Sequence, residues 1–139
     1  MSTSMENREG LIWFDGEFVD WKDANIHILN HGLHYASSVF EGERSYSGKI
    51  FKVREHTERL FESAKALDLK IPYSMEEIID ASYKAIELNN LTDAYLRPIV
   101  WRGSEMGVSA PNAKVHCAIA VWEWPSYLSL IHISEPTRP

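Results

Sequence analysis

From Glu55 to Leu88 the apolar residues recur every three or four positions, whereas on either side they alternate with polar residues or cluster in short β-branched and aromatic runs. Leu60, Phe61, Ala64 and Leu67 make one helical stripe, with Glu58, Glu62, Lys65 and Asp68 outside it, and the pattern stops before Pro72. Ser74 then opens SMEE, a capping box with Ser74 at the N-cap and Glu77 at the third helical position, and Ile78, Ile79, Tyr83 and Ile86 give a second buried face that ends at Asn89-Asn90. Before these helices, Leu11 to Phe14 and Glu17 to Trp21 flank Asp15-Gly16, the dipeptide of a type I′ hairpin. Asn25 to Leu29 reads as a further extended piece, and Lys49 to Val53 follows Ser47-Gly48 as a second hairpin arm. After them, Ala94 to Trp101 and Val115 to Trp122 read as strands joined by the Gly- and Pro-containing loop Gly103 to Asn112. Strands, then helices, then strands predict an α+β fold: an antiparallel-rich sheet with two helices packed on one side. A chain of 139 residues supports one such core.

Composition removes several function classes. A chain that is 45% hydrophobic and 24% charged packs a core instead of remaining disordered. Its net charge of −6, without a basic stripe, argues against nucleic acid as a partner. No apolar run approaches the roughly 20 residues needed to cross a bilayer, and the opening MSTSMENREG has no apolar core of a signal peptide. Residues 1–10 are expected to be flexible. Cys117 is the only cysteine, so no disulfide framework or cysteine metal site is available, and a reducing cytoplasm is the expected compartment.

The chemistry concentrates in His31 to Tyr46, HGLHYASSVFEGERSY, a turn leading into a strand at Ser38-Val39-Phe40. By period two, Phe40, Gly42 and Arg44 share one face and Glu41, Glu43 and Ser45 the other, and Gly42 permits a bulge or the close approach of a ligand. The alternatives are an amphipathic strand with a solvated arginine and the wall of a pocket for an amino or keto acid. His31 and His34 lack a third ligand at suitable spacing, so they read as support for Tyr35 and not as a metal site. Arg59 precedes Leu60 of the helical stripe, where an arginine ordinarily lays its stem on the core and its charge in water. Tyr95 and Arg97, two apart on a strand, face one side and could receive a carboxylate; Pro98 beside them argues against a long central strand there. His116 and Cys117 are adjacent on a strand, face opposite ways, and so form no nucleophile and base pair.

Three blocks, HGLHYASSVFEGERSY, REHTERL at Arg54 to Leu60 and NNLTDAYLRPIVWRGSEMGV at Asn89 to Val108, resemble in the same order the signature of branched-chain aminotransferases, pyridoxal 5′-phosphate enzymes of fold type IV. The resemblance runs from about Ile12 to Tyr127 and corresponds to the smaller N-terminal domain of that family. It implies that Arg59 contacts the cofactor phosphate, that Tyr35 and Arg97 hold the side-chain carboxylate of glutamate, and that Tyr95 helps to hold the substrate α-carboxylate. It further implies that Phe40, Gly42, Arg44 and Tyr127 shape the pocket and that Val108 reaches into the site of a partner subunit in a homodimer or higher homo-oligomer. Glu43 receives no role. The implied substrates are leucine, isoleucine or valine with glutamate and 2-oxoglutarate. The Schiff-base lysine of the family has no counterpart among Lys22, Lys49, Lys52, Lys65, Lys70, Lys84 and Lys114, so this chain is expected to be inactive alone. Other fold-type-IV enzymes, a D-amino-acid aminotransferase or an aminodeoxychorismate lyase, are disfavoured by VFEGER with AYLRP; a non-catalytic interaction module is the alternative of a different class. Finally, Leu128 to Pro139, LSLIHISEPTRP, resembles the translation of a transposase adapter used in preparing sequencing libraries, so residues 11–127 are expected to be the domain and 128–139 a foreign tail on a truncated gene.

Overall fold

In the computed structural model, residues 4–124 are described; Tyr127 and the tail 128–139 lie outside them. β1 (Leu11–Phe14) and β2 (Glu17–Asp20) form the hairpin expected around Asp15-Gly16. Both turn residues have positive φ, 51° and 96°, as a type I′ turn requires. A five-residue helix, α1 (His31–Tyr35), precedes β3 (Ser38–Phe40), β4 (Glu43–Tyr46) and the two-residue β5 (Lys49–Ile50). The long helices α2 (Val53–Ala66) and α3 (Met75–Leu88) follow. β6 (Ala94–Arg102) and β7 (Val115–Glu123) complete a seven-stranded sheet in the order β2-β1-β7-β6-β4-β5, with β3 also paired to β6. Every pairing among the described residues is antiparallel.

The alternation of the strands assigns each face. Leu96, Val100, Cys117, Ile119, Val121 and Trp13 point to α2 and α3 and meet Leu60, Ala64, Ile78, Ala85 and Ile86 in the main core. Ile12, Phe14, Ile99, Trp101, Ala118 and Ala120 point the other way, into a smaller cluster under residues 21–35. The two long helices therefore cover one face only. Ser74 caps α3 as expected, its hydroxyl accepting from Glu77 N at 3.1 Å while the Glu77 carboxylate accepts from Ser74 N at 2.8 Å. Two long-range clamps set the layers against each other. Asn89 at the end of α3 bonds both backbone groups of Leu11, and Arg102 donates from Nη2 to Leu67 O past the end of α2 and from Nη1 to Ala110 O.

Four local expectations need correction. Residues 25–29 form no strand, and the turn expected at His31 is a helical turn whose capping residue, Ala36, has φ of 58°. The arm expected over residues 49–53 ends at Ile50, because Lys52 takes a left-handed conformation and Val53 already begins α2. Pro98 sits in the middle of a nine-residue central strand. Its missing N–H would point toward Glu41, the residue opposite it in the register that joins Phe40↔Ile99 to Glu43↔Leu96. Glu41 N still donates to Pro98 O at 3.0 Å, and the lost return bond leaves the break between β3 and β4. No residue is inserted, so the line is interrupted and not bulged.

Arg102 is buried and bonds the carbonyls of Leu67 and Ala110, tying the end of α2 to the loop before β7. Replacing it with methionine keeps the stem and removes the donors, and is expected to lower stability by about 1–3 kcal/mol in urea denaturation, with faster amide exchange in residues 103–114. A loss below about 0.5 kcal/mol, the size of an ordinary surface substitution, would contradict that role.

Candidate functional site

The open face of the sheet carries a wall of cations and aromatic rings. Phe40 and Arg97 lie on facing lines of the sheet, and the Arg97 guanidinium carbon stands 4.2 Å from the centre of the Phe40 ring while its Nη2 donates to the Tyr95 hydroxyl at 2.9 Å. Arg44 stands over Trp124 at 4.2 Å and over Tyr46 at 4.9 Å, and Tyr95 packs against both Trp122 and Trp124. Arg44 Nε and Arg97 Nε are buried without a hydrogen-bond partner among the described residues. Two guanidinium groups thus stand on π faces, each with a buried Nε that no described group satisfies. The Tyr95 hydroxyl lies so near the Cα of Gly42 that a Cβ there would collide with it, so the absence of a side chain at Gly42 sets the depth of the wall.

Behind the same stretch of chain, on the helix side, lies an ionic cluster. Glu41 is 5% exposed and accepts from Arg59 Nε and Arg59 Nη2, each at 2.8 Å, and from His56 Nδ1 at 2.8 Å. His56 and Arg59 are three apart on α2 and so project from one side of the helix. Burial pushes the Glu41 carboxyl upward, but the hydrogen bonds from Arg59 and His56 and their charges outweigh it and hold it below the usual carboxylate range. Glu43, two residues on and 2% exposed, has no such partners among the described residues: burial, with the charge of Glu41 beside it, pushes its carboxyl up to about 8. Among the described residues the outer edge of residues 40–42 has no strand alongside it, since β5 pairs only with Ser45 and Tyr46. Arg59 therefore reaches the edge from the helix side, and Phe40 and Tyr95 border it from the open side.

A third group forms around α1. His31 is buried, with Nδ1 2.6 Å from Ser37 Oγ and Nε2 within 3.0 and 3.2 Å of the carbonyls of Gly107 and Val108, while the Tyr35 hydroxyl donates to Met106 O at 3.2 Å. The loop carrying Val108 is thereby fastened to the helix carrying Tyr35, and Val108 itself is 79% exposed.

Of the residues singled out in the sequence, Phe40, Gly42, Arg44, Tyr95 and Arg97 come together on the open face, and Arg59 stands at its edge from the helix layer. Tyr35 and Val108 form a separate ridge; Tyr35 spends its hydroxyl on Met106 and not on Arg97. Tyr127 lies outside the described residues. Glu41, His56, Trp122 and Trp124 were not expected in the site. The i, i+3 pair His56 and Arg59 on α2, set against a strand face that reads Glu41, Glu43, Ser45, was the available signal for the first two. Cys117 and His116 do face opposite ways; the thiol is in the main core, where burial and then the charge of Asp15 push it up to about 12, and His116 bonds Asp15 at 2.6 Å beside Trp101.

The model of amino-transferase class IV matches residues 38–138. The chain belongs to the class IV aminotransferases. This class IV chain is 49% identical over 130 residues to a branched-chain-amino-acid aminotransferase of Pseudomonas aeruginosa, a match that covers 90% of the chain and 42% of the relative. It is 42% identical over 123 residues to that of Escherichia coli strain K12, covering 84% and 40%. Among solved structures it superposes on the branched-chain amino acid aminotransferase from Escherichia coli with a TM-score of 0.81 at 41% identity, over 84% of this chain and 42% of that one. The T.th. branched-chain amino acid aminotransferase complexed with N-(5′-phosphopyridoxyl)-L-glutamate gives 0.80 at 39% identity, over 84% and 41%. The antiparallel sheet with two long helices on one face is thus the small-domain fold of fold type IV, and the chain spans about two fifths of the length of the relatives it matches.

The buried Glu43 of this aminotransferase chain sets a pH dependence. A carboxyl whose folded value is about 8 favours the folded state while protonated, so its stabilising contribution is full below its ordinary value near 4.5 and is lost as pH rises toward 8. Glu43→Gln is expected to match the parent stability at pH 4.5 and to exceed it increasingly up to pH 8 in denaturant titrations at several pH values. A difference that stays constant with pH would contradict this.

Proposed function

We propose that the complete protein is a pyridoxal 5′-phosphate-dependent branched-chain-amino-acid transaminase, exchanging an amino group between leucine, isoleucine or valine and 2-oxoglutarate, and that residues 11–127 are its N-terminal domain and 128–139 a foreign tail. The observation that carries this reading is the placement of two cationic groups on either side of the open edge at residues 40–42: Arg59 from the helix layer, Arg97 with Tyr95 from the open face. The names of the relatives supply the reaction class, and the phosphopyridoxyl-glutamate complex of the T.th. enzyme supplies the cofactor chemistry.

The residues fit that group. Arg59 uses Nε and Nη2 on Glu41 and keeps its outer Nη1 and Nη2 donors for a phosphate, to which a guanidinium fork binds bidentately. When bound, pyridoxal phosphate supplies an electron sink for the bond cleaved at the substrate α-carbon. The chain's own side chains orient the substrate. Tyr95, against Gly42, donates toward the α-carboxylate, and Arg97 receives the second carboxylate of glutamate. Phe40 and Arg44 bound the space for an apolar side chain. A pocket serving both leucine and glutamate needs a cation that can be left without an anion, and the Phe40 face that Arg97 covers supplies a weak substitute. Proton transfer at the α-carbon needs a base placed at that atom, and no lysine among the described residues stands in the wall, so the 139-residue chain alone is proposed to be inactive.

Val108 reaches into the partner subunit's site in this reading, from the ridge it forms with Tyr35. Their ridge joins the exposed Ile26, Ile28, Leu29 and Leu33, an apolar surface that a homodimer would cover. The single buried thiol is compatible with the cytoplasm, where we place the protein.

In the complete protein, Arg97→Ala is expected to raise the KM for glutamate by about ten- to a hundredfold while that for leucine changes a few-fold at most. The purified 139-residue chain should yield no glutamate from leucine and 2-oxoglutarate in the same assay. Equal effects on both substrates would remove Arg97 from recognition of the side-chain carboxylate, and an interaction module would show no turnover at any length.

A further inference from the structure

We propose that Glu41 is the positioning residue for the phosphate-binding arginine: it grips the Nε and Nη2 side of Arg59 and thereby turns the other edge of the guanidinium outward to the cofactor phosphate. This rests on the reading of Arg59 given above and names the group that makes it effective.

Burial and geometry are distributed in an unusual way. The anion is 5% exposed and the cation, Arg59, has a side chain 64% exposed, so the fixed member of the pair is the carboxylate and the adjustable member is the arginine. Glu41 is fixed from several directions. Its backbone N–H is bonded to Pro98 O, its side chain lies on the helix face of an interrupted strand, and His56 Nδ1 occupies the oxygen that also receives Arg59 Nη2. An exposed arginine held by nothing would sample many rotamers, and ordering it would weaken any ligand that had to do so. Here two parallel N–H···O bonds define the plane of the guanidinium before a ligand arrives. Of its five N–H groups the carboxylate takes one on Nε and one on Nη2, which leaves both on Nη1 and the second on Nη2, a bidentate edge without a partner among the described residues. The negative charge of Glu41 opposes a phosphate, but across an exposed guanidinium that effect is screened, whereas the loss of orientation is not.

The test uses the complete apoprotein titrated with pyridoxal 5′-phosphate and, separately, with pyridoxal, which lacks the phosphate. Glu41→Gln is expected to weaken pyridoxal 5′-phosphate by about tenfold, the scale of releasing one long side chain, and to leave pyridoxal unchanged within about twofold. In an Arg59→Ala background the Glu41 substitution should add nothing, because its effect passes through Arg59. Equal weakening of both ligands would mean that Glu41 merely supports the fold and would overturn the proposal, as would unchanged or tighter phosphate binding in Glu41→Gln while Arg59→Ala weakens it. Should Arg59→Ala itself leave affinity unchanged, the assignment of the phosphate to Arg59 fails first, and the proposal with it. Glu41→Asp covers the case in which the glutamine variant does not fold: it keeps the charge and withdraws the carboxylate by one methylene, so a phosphate-selective loss there supports positioning, and full affinity contradicts it.

Discussion

A proline in the middle of the central strand determines where this molecule can do chemistry. Pro98 has no N–H to return to Glu41, and the strand opposite splits into β3 and β4 without losing register. Because the register survives, the alternation of side chains survives with it. Phe40, Gly42 and Arg44 stay on the open face and Glu41, Glu43 and Ser45 stay under the helices. Because β5 is short, the outer edge at residues 40–42 has no strand beside it among the described residues. One interrupted strand thus presents an aromatic and cationic wall on one side and a clamped arginine on the other, with an open edge between them.

The helix side of that strand carries two carboxyl groups in what would otherwise be an apolar layer, and they resolve the cost of burial in opposite ways. Glu41 keeps its charge because three donors converge on it, and removing any of them would leave a buried carboxylate short of partners. Glu43 lacks such donors among the described residues and gives up its charge instead. The carboxylate charge of the cluster therefore rests on Glu41, which faces the exposed guanidinium of Arg59. Had Glu43 also been ionised, the repulsion between neighbouring carboxylates would have fallen on the same few ångströms of chain.

Much of the fold was legible in the sequence because local signals and packing agreed. The Asp15-Gly16 turn, the Ser74-to-Glu77 capping box and the apolar stripes of α2 and α3 each required one structure, and the sheet took it. The failures were local ones. Residues 25–29 have strand-like composition but form an exposed loop, with Ile26 lining the cavity that Trp101 and Ala118 also border, and Pro98 was read as arguing against a long central strand when its missing donor merely interrupted the neighbour. Within the site, period two placed Phe40, Gly42 and Arg44 correctly because alternation is a property of the strand alone. The partnership of Glu41 with His56 and Arg59 joins a strand to a helix, and no period in either segment encodes that contact. The separation of Tyr35 from Arg97 was hidden for the same reason: it depends on the loop at residues 103–114 folding back onto α1.

In the proposed function, a phosphate and a carboxylate meet this chain at the 40–42 edge from opposite faces of one strand. A crystal structure of the complete protein with pyridoxal 5′-phosphate and glutamate bound tests that most directly. The expected result is phosphate oxygens within hydrogen-bonding distance of Arg59 Nη1 and Nη2 while Nε stays on Glu41, and a substrate carboxylate on Arg97 on the open face. A phosphate held elsewhere, or an Arg59 that leaves Glu41 to reach it, would contradict this reading.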